Sequence, residues 1–181
     1  MGVEVNDCKD YSALFYNLAF HKGILVNWDT QRQVWNQMFK KHCVDFSSTH
    51  LILTEPVFNF GSVQECLDEL VFEDFGFDGL IRINAPTLAA YRHMKENATD
   101  FCLVVDSGYS FTHVIPFYKG KIILEGLLRI NLGGKHITNY LKEIISYRQL
   151  MVMDETFVVN QIKEEVCFVS TDFYGDMDIA K

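Results

Sequence analysis

Basic residues are scarce in this chain and never gather into a patch. Its 181 residues carry 16 Lys and Arg against 24 Asp and Glu, a formal net charge of −8, and the longest basic groupings are Lys40-Lys41 and Lys119-Gly120-Lys121. Binding to a nucleic-acid backbone draws on clustered Lys and Arg, so no direct sequence-specific contact with nucleic acid is expected. The same acidic balance suits a basic protein partner and serves equally as an ordinary soluble surface. The five cysteines, Cys8, Cys43, Cys66, Cys102 and Cys167, are odd in number and widely spaced, with no C-x-x-C pair. That excludes a disulfide framework and a zinc site by spacing, and points to reduced, mostly buried thiols in a cytosolic or nuclear compartment. The six histidines are scattered too, so no metal site is expected from them.

Long apolar runs are also missing, which excludes a membrane span. The most apolar early segment, Tyr11 to Val26, is interrupted by Asn17, His21 and Lys22 and preceded by Asp7 and Asp10, so it does not read as a signal peptide. Asn97-Ala98-Thr99 has the form of a glycosylation acceptor, which matters only in a secreted chain. Proline is rare, with three in the chain, and no tract rich in Pro, Gly or Ser divides it. What the chain has instead is 49% apolar and 14% aromatic residues, ample for a packed core.

The periodicity predicts alternating strands and helices. Residues 1–10, "MGVEVNDCKD", have no period and are expected to be a mobile N-terminal segment. "ALFYNLAF" and "HKGILVNWD" read as two short strands turned at Lys22-Gly23. A capping box at Thr30 and Gln33 then opens a helix over residues 30–41 with Val34, Trp35, Met38 and Phe39 on its inner face. "HLILTE" is a buried strand, and a second capping box at Ser62 and Glu65 opens a helix burying Val63, Cys66, Leu67, Leu70 and Val71. "GLIRI" is strand-like, and Pro86 behind a cap at Asn84 predicts a helix through Met94. Four strands follow, "FCLVVD", "FTHVIPFY", "KIIL" and "LLRINL", turned at Gly108, Gly120 and Gly126. Beyond Gly133-Gly134 a helix is expected to pack on these strands through Ile137, Tyr140, Leu141, Ile144 and Ile145. A last helix over residues 155–170 turns Val159, Ile162, Val166 and Val169 inward, and the class is α/β.

The stretch "LVVDSGYSFTHVIPFYKG" carries the chemical question. Asp106 ends an apolar strand and is followed by Ser107-Gly108-Tyr109-Ser110. This is an ordinary tight turn on one reading, and on the other a hairpin whose backbone N–H groups face a phosphate.

Read with "RINLGGK" and "VVNQIKEEVCFVSTDF" after it, and "GILVNWD" and "LTEPVFN" before it, the order resembles the actin superfamily. Within it, "VDSGYSFTH", "RINLGGKHITNYLKEIISYRQL" and "VMDETFVVNQIKEEVCFVSTDFYGDMDIAK" resemble the sixth subclass of nuclear actin-related proteins. The resemblance implies a partial actin-like ATPase-domain fold of ribonuclease H-like kind, with mixed sheets and packed helices. Residues 11–181 would form a partial domain, the end of a first half and the start of a second. The chain is therefore expected to be a fragment, a short splice form or an incomplete gene model.

It also implies a nucleotide cleft. There Asp106 would hold Mg²⁺ through water, Gly108 and Gly134 would give room beside the phosphates, and Lys163 and Glu164 would face the base and ribose. A solvated helix face is the competing reading for Lys163 and Glu164. Two departures weaken the cleft. Tyr109 and Ser110 stand where actins carry aspartate and glycine, and the water-positioning glutamine of actins is matched by Asn84 or Ala85, depending on a one-residue gap. Without that group, hydrolysis loses the in-line water, and His113 alone reads as a packed, hydrogen-bonded strand residue.

The expectation is a degenerate, incomplete ATP/Mg²⁺ site and no catalysis. The chain would be a structural subunit of a nuclear chromatin-remodelling complex that exchanges a variant histone into nucleosomes. Its expected partners are the other subunits, with histones as a further one and no membrane, and its place is the nucleus, with the cytoplasm as a second. A weakly hydrolysing actin-like ATPase, or a truncated product without independent function, is the alternative.

Overall fold

The computed structural model describes residues 17–42, 45–148 and 150–180. The expected mobile segment at residues 1–10 lies outside them, as do Cys8 and Cys43. The described residues fall into two compact units, 17–134 and 135–180.

The first unit opens with β1 (Phe20–His21) and β2 (Ile24–Leu25), an antiparallel pair. Lys22 and Gly23 between them have φ of 51° and 78°, the two left-handed residues that a two-residue hairpin turn requires. The turn lies where the sequence places it, but the strands are two residues each. Helix α1 (Trp28–His42) begins ahead of the expected capping box. The Thr30 amide donates to Asn27 Oδ1 at 3.0 Å, so Asn27 satisfies the open first turn and Thr30 lies within the helix. Trp35 and Phe39 are buried as expected, whereas Met38 is exposed and Gln31 takes a buried place instead.

Strand β3 (His50–Glu55), helix α2 (Gly61–Glu69) and β4 (Gly79–Asn84) form a parallel βαβ unit, with Leu51 opposite Leu80 and Leu53 opposite Arg82. A π-helical turn at Leu70–Asp74 extends α2. The capping box at Ser62 and Glu65 does not form, because α2 starts at Gly61 and no side chain caps it. Leu67, Leu70 and Val71 are buried as expected, but Cys66 is exposed, and with Cys167 exposed and Cys102 half-buried the described thiols are free yet not the buried ones expected. The core here is aromatic. Trp35, Phe39, Phe46, Phe75 and Phe77 meet mostly edge to face, with Phe39 touching all four others at centroid distances of 5.4 to 5.9 Å. Such pairs add about 0.5–1.5 kcal/mol each beyond their buried area.

Helix α3 (Ala85–Asn97) runs three residues past Met94, the end read from the sequence, and closes on Ala98, whose φ of 49° ends the hydrogen-bonded ladder. Asn84 precedes it but does not cap it. Its side-chain amide donates to the Glu55 and Pro56 carbonyls at 3.2 Å each, tying the end of β4 to that of β3. Next come β5 (Phe101–Ser107), β6 (Thr112–Tyr118), β7 (Lys121–Ile122) and β8 (Leu128–Ile130). All pair antiparallel, β5 with β6 and β6 with β7 as in the expected meander, but β8 returns to pair with β6 beside β7 and does not extend the meander from β7. One face buries Ile115 and Phe117 against Ala90 of α3. The other leaves Phe101, Leu103 and Val105 exposed.

The second unit holds α4 (Gly134–Arg148), α5 (Thr156–Val166) and α6 (Phe173–Ile179). The sequence reading missed α6, where Asp172 accepts the Gly175 amide at the first turn. It also misassigned the buried faces. On α4 the buried residues are Thr138 and Lys142, while of the expected face Leu141 and Ile145 are half-buried and Ile137, Tyr140 and Ile144 are exposed. On α5 Val159 is buried, whereas Ile162 and Val166 are exposed, as is Val169 beyond its end. The apolar periodicity is real, but the residues that pair the helices are polar. None of the described helices is long and apolar enough to cross a membrane.

Candidate functional site

The β5–β6 hairpin is built around a closed loop. Asp106 lies opposite His113 and Ser107 opposite Thr112 at the last rungs of the ladder. Beyond them the Gly108 amide donates to the Phe111 carbonyl at 3.0 Å, and the Gly134 amide donates back to the Gly108 carbonyl at 3.0 Å. Thr112 completes the closure. Its hydroxyl donates to the Leu132 carbonyl at 2.8 Å and lies 3.0 Å from Ser107 Oγ.

The glycine that the close approach demands is Gly133. A Cβ there would lie 2.6 Å from both the Gly108 and the Tyr109 carbonyl oxygens, which is backbone that cannot step aside. At Gly108 a Cβ would meet nothing closer than 3.6 Å. The Gly133-Gly134 doublet was the signal in the sequence that could have located this contact.

The Asp106 side chain is exposed and forms no hydrogen bond or salt bridge among the described residues. His113 is 1% exposed, between the Phe111 ring at 4.6 Å and the Phe58 ring at 5.8 Å. Its Nε2 has no hydrogen-bond partner, unlike the hydrogen-bonded histidine expected. Burial pushes its pKa below 6.5, the Arg129 guanidinium pushes the same way, and the Asp106 carboxylate opposes them. The Arg129 guanidinium lies 4.3 Å from the Phe111 ring centroid, over its face, and holds the ring on which His113 packs. A neutral imidazole sealed between rings has no substrate in reach, which general-base work requires.

The two candidates for the water-positioning residue do not help. Asn84 spends its amide on carbonyls, and Ala85 is the first residue of α3.

In the second unit Lys163 and Glu164 are tied into a network. Lys163 Nζ donates to Asn160 Oδ1 at 2.9 Å and Thr138 Oγ1 at 3.2 Å, and Asn160 Nδ2 donates to Glu164 Oε1 at 2.8 Å. Within each unit, then, the groups that would meet a nucleotide are engaged by the chain itself. The hairpin offers carbonyl oxygens at Gly133, and a phosphate needs donors there. As they stand these residues do not fit Mg²⁺–nucleotide, and Asp106 alone remains free. Among the described residues no three His, Cys, Asp or Glu side chains converge as a metal site. A concavity of about 230 Å³ in the first unit lies elsewhere, lined by Trp28, Arg32, Cys66, Glu69, Leu70, Glu73 and Asp74.

Comparison with known proteins gives one answer throughout. The family model described as Actin matches residues 2–181. The protein named Actin-related protein 6 from Drosophila melanogaster is 46% identical over 99% of this chain and 47% of its own length. Actin-like protein ARP6 from Yarrowia lipolytica is 42% identical over 100% of the chain and 46% of its own length. Actin-related protein 6 from Arabidopsis thaliana is 44% identical over 98% and 44%. The chain spans about half the length of these curated relatives.

Proposed function

This chain belongs to the actin family, with a partial actin-like fold, and on that premise we propose that it is a non-catalytic structural subunit. The complex would be a nuclear chromatin-remodelling one that exchanges a variant histone into nucleosomes, and binding to its other subunits would not depend on nucleotide. Likeness to proteins named Actin-related protein 6 supports the subclass. The observation that carries the non-catalytic part is the closed hairpin, in which the Gly108 and Gly134 amides are both paired within the chain. Catalysis of phosphoryl transfer is almost entirely positioning and electrostatic stabilisation, so spending the Gly108 and Gly134 amides within the chain takes two phosphate-facing donors out of what the fold could supply.

A nucleotide-binding reading has one observation in its favour, the free carboxylate of Asp106. Two measurements decide between the readings. Phosphate release from Mg-ATP should equal that of a heat-treated control, and turnover abolished by Asp106→Ala would overturn the non-catalytic part. Recovery of remodelling-complex subunits from nuclear extract on tagged chain should be equal with Mg-ATP, with Mg-ADP and after nucleotide removal. Recovery that follows the nucleotide would favour the switch-like reading.

A further inference from the structure

The polar network of the second unit has a different task from the one family resemblance gives its members. Thr138 is fully buried on α4. Its hydroxyl donates to Asn160 Oδ1 at 3.0 Å and accepts from Lys163 Nζ at 3.2 Å. Asn160 Oδ1 accepts from both Thr138 and Lys163, and the Asn160 amide is spent on Glu164. Thr138 Oγ1, Asn160 Oδ1, Asn160 Nδ2 and Lys163 Nζ each have a partner on the facing helix or one turn away. The same helices bury only one apolar side chain fully, Val159, with Leu141, Ile145, Phe157 and Val158 half-buried, so directional bonds add to a modest apolar contact. A buried hydroxyl is costly unless bonded, which makes this closed set the condition for bringing α4 and α5 together at all.

We infer that Lys163 is a positioning residue that clasps α5 to α4 through Thr138 and Asn160, and that its ammonium is thereby withdrawn from nucleotide contact. Glu164 holds the clasp from outside by orienting the Asn160 amide, so that Asn160 presents its oxygen to Lys163. The inference rests on the nucleotide-independent reading above only for its last clause. The clasp itself stands on geometry.

Amide hydrogen exchange on the full chain, with and without Mg-ATP, tests it in the parent and in Lys163→Met, Lys163→Arg, Thr138→Val and the Lys163→Met/Thr138→Val double variant. Losing one such bond should speed exchange in α4 and α5 about tenfold. The double variant should be little faster than either single one, because partners in one network are not additive. Lys163→Arg, which keeps donors, should restore part of the protection. Thr138→Val keeps the shape of the site, so it reads the clasp even if Lys163→Met unfolds the unit. Parent-like exchange in both single variants would overturn the clasp. So would Mg-ATP protection lost in Lys163→Met and kept in Thr138→Val. Equal Mg-ATP protection in parent and variants, with exchange still accelerated, would confirm the clasp and show that nucleotide binds without the Lys163 ammonium, leaving subunit recovery to decide the proposed function.

Discussion

The two units bury different chemistry. In residues 17–134 the buried set is mostly apolar, Ala19, Leu25, Trp35, Phe39, Leu67, Leu70, Val71, Phe75 and Phe77 with a second cluster of Ala90, Ile115 and Phe117, and only Gln31 and His113 among its buried residues are polar. In residues 135–180 it is Thr138, Lys142 and Val159. Apolar burial stabilises by roughly 1.5–3 kcal/mol for each fully buried large side chain and is indifferent to direction. A net hydrogen bond contributes only about 0.5–1.5 kcal/mol and demands one geometry. The first unit therefore resembles a core that would form from composition alone. The second resembles a fitted joint, with Lys142 Nζ bonded to the Met153 carbonyl at 3.2 Å and Thr156 Oγ1 at 2.9 Å. Its aromatic and aliphatic side chains mostly face outward, Tyr147 at 91% and Val169 at 93% exposure.

The largest expected effect breaks this contrast from the first side. Phe39 touches four rings and lies at the centre of the aromatic cluster. Phe39→Ala should cost about 3–5 kcal/mol in chemical denaturation, since the surrounding rings cannot close the cavity. Hydrogen exchange in α4 and α5 should be the last to change. A loss below about 1 kcal/mol would mean that the cluster packs loosely and that the contrast is false.

A smaller effect follows from His113, the buried titratable group of the first unit. Its folded pKa lies below the 6.5 of an open histidine, so the unfolded chain binds the proton more readily. Its contribution to stability is then complete above pH 6.5 and is lost as pH falls from there through the folded pKa. Denaturation midpoints measured between about pH 7 and about pH 5 should fall in the parent. They should fall less in His113→Phe, where no proton is taken up. Equal slopes would show that the imidazole reaches water.

The same contrast explains what the sequence made legible. The presence of β3 and of β5–β8, the core of α2 and the turn at Lys22-Gly23 were readable because apolar period and turn chemistry both act locally, but β3 is not the buried strand expected, with Ile52 64% exposed. The hairpin residues Asp106 and Thr112 could be named from the motif. That the hairpin closes on itself could not, because the bond from Gly134 to Gly108 joins residues 26 apart in the chain. Helix faces failed where polarity and burial part company. Ile137, Tyr140 and Ile144 repeat at helical spacing, yet the contact face of α4 is set by Thr138 and Lys142, whose polar atoms find partners only once α5 and its preceding loop are in place.

Ile144→Asp gives the smallest expected effect and sharpens the contrast most directly. Were α4 packed through its apolar stripe, a carboxylate at Ile144 would be a buried charge, costing several kcal/mol. Ile144 is instead 41% exposed and lies six positions along α4 from Thr138, whose hydroxyl accepts the Lys163 bond. Helix propensity falls slightly, since Asp is a poorer helix former than Ile. The residue also sits in the C-terminal half of α4, where a negative charge meets the unfavourable end of the helix dipole. Both terms are small, so the expected loss is about 0.5–1 kcal/mol by chemical denaturation. A loss above about 2 kcal/mol would place Ile144 in a buried contact and return α4 to an apolar packing face.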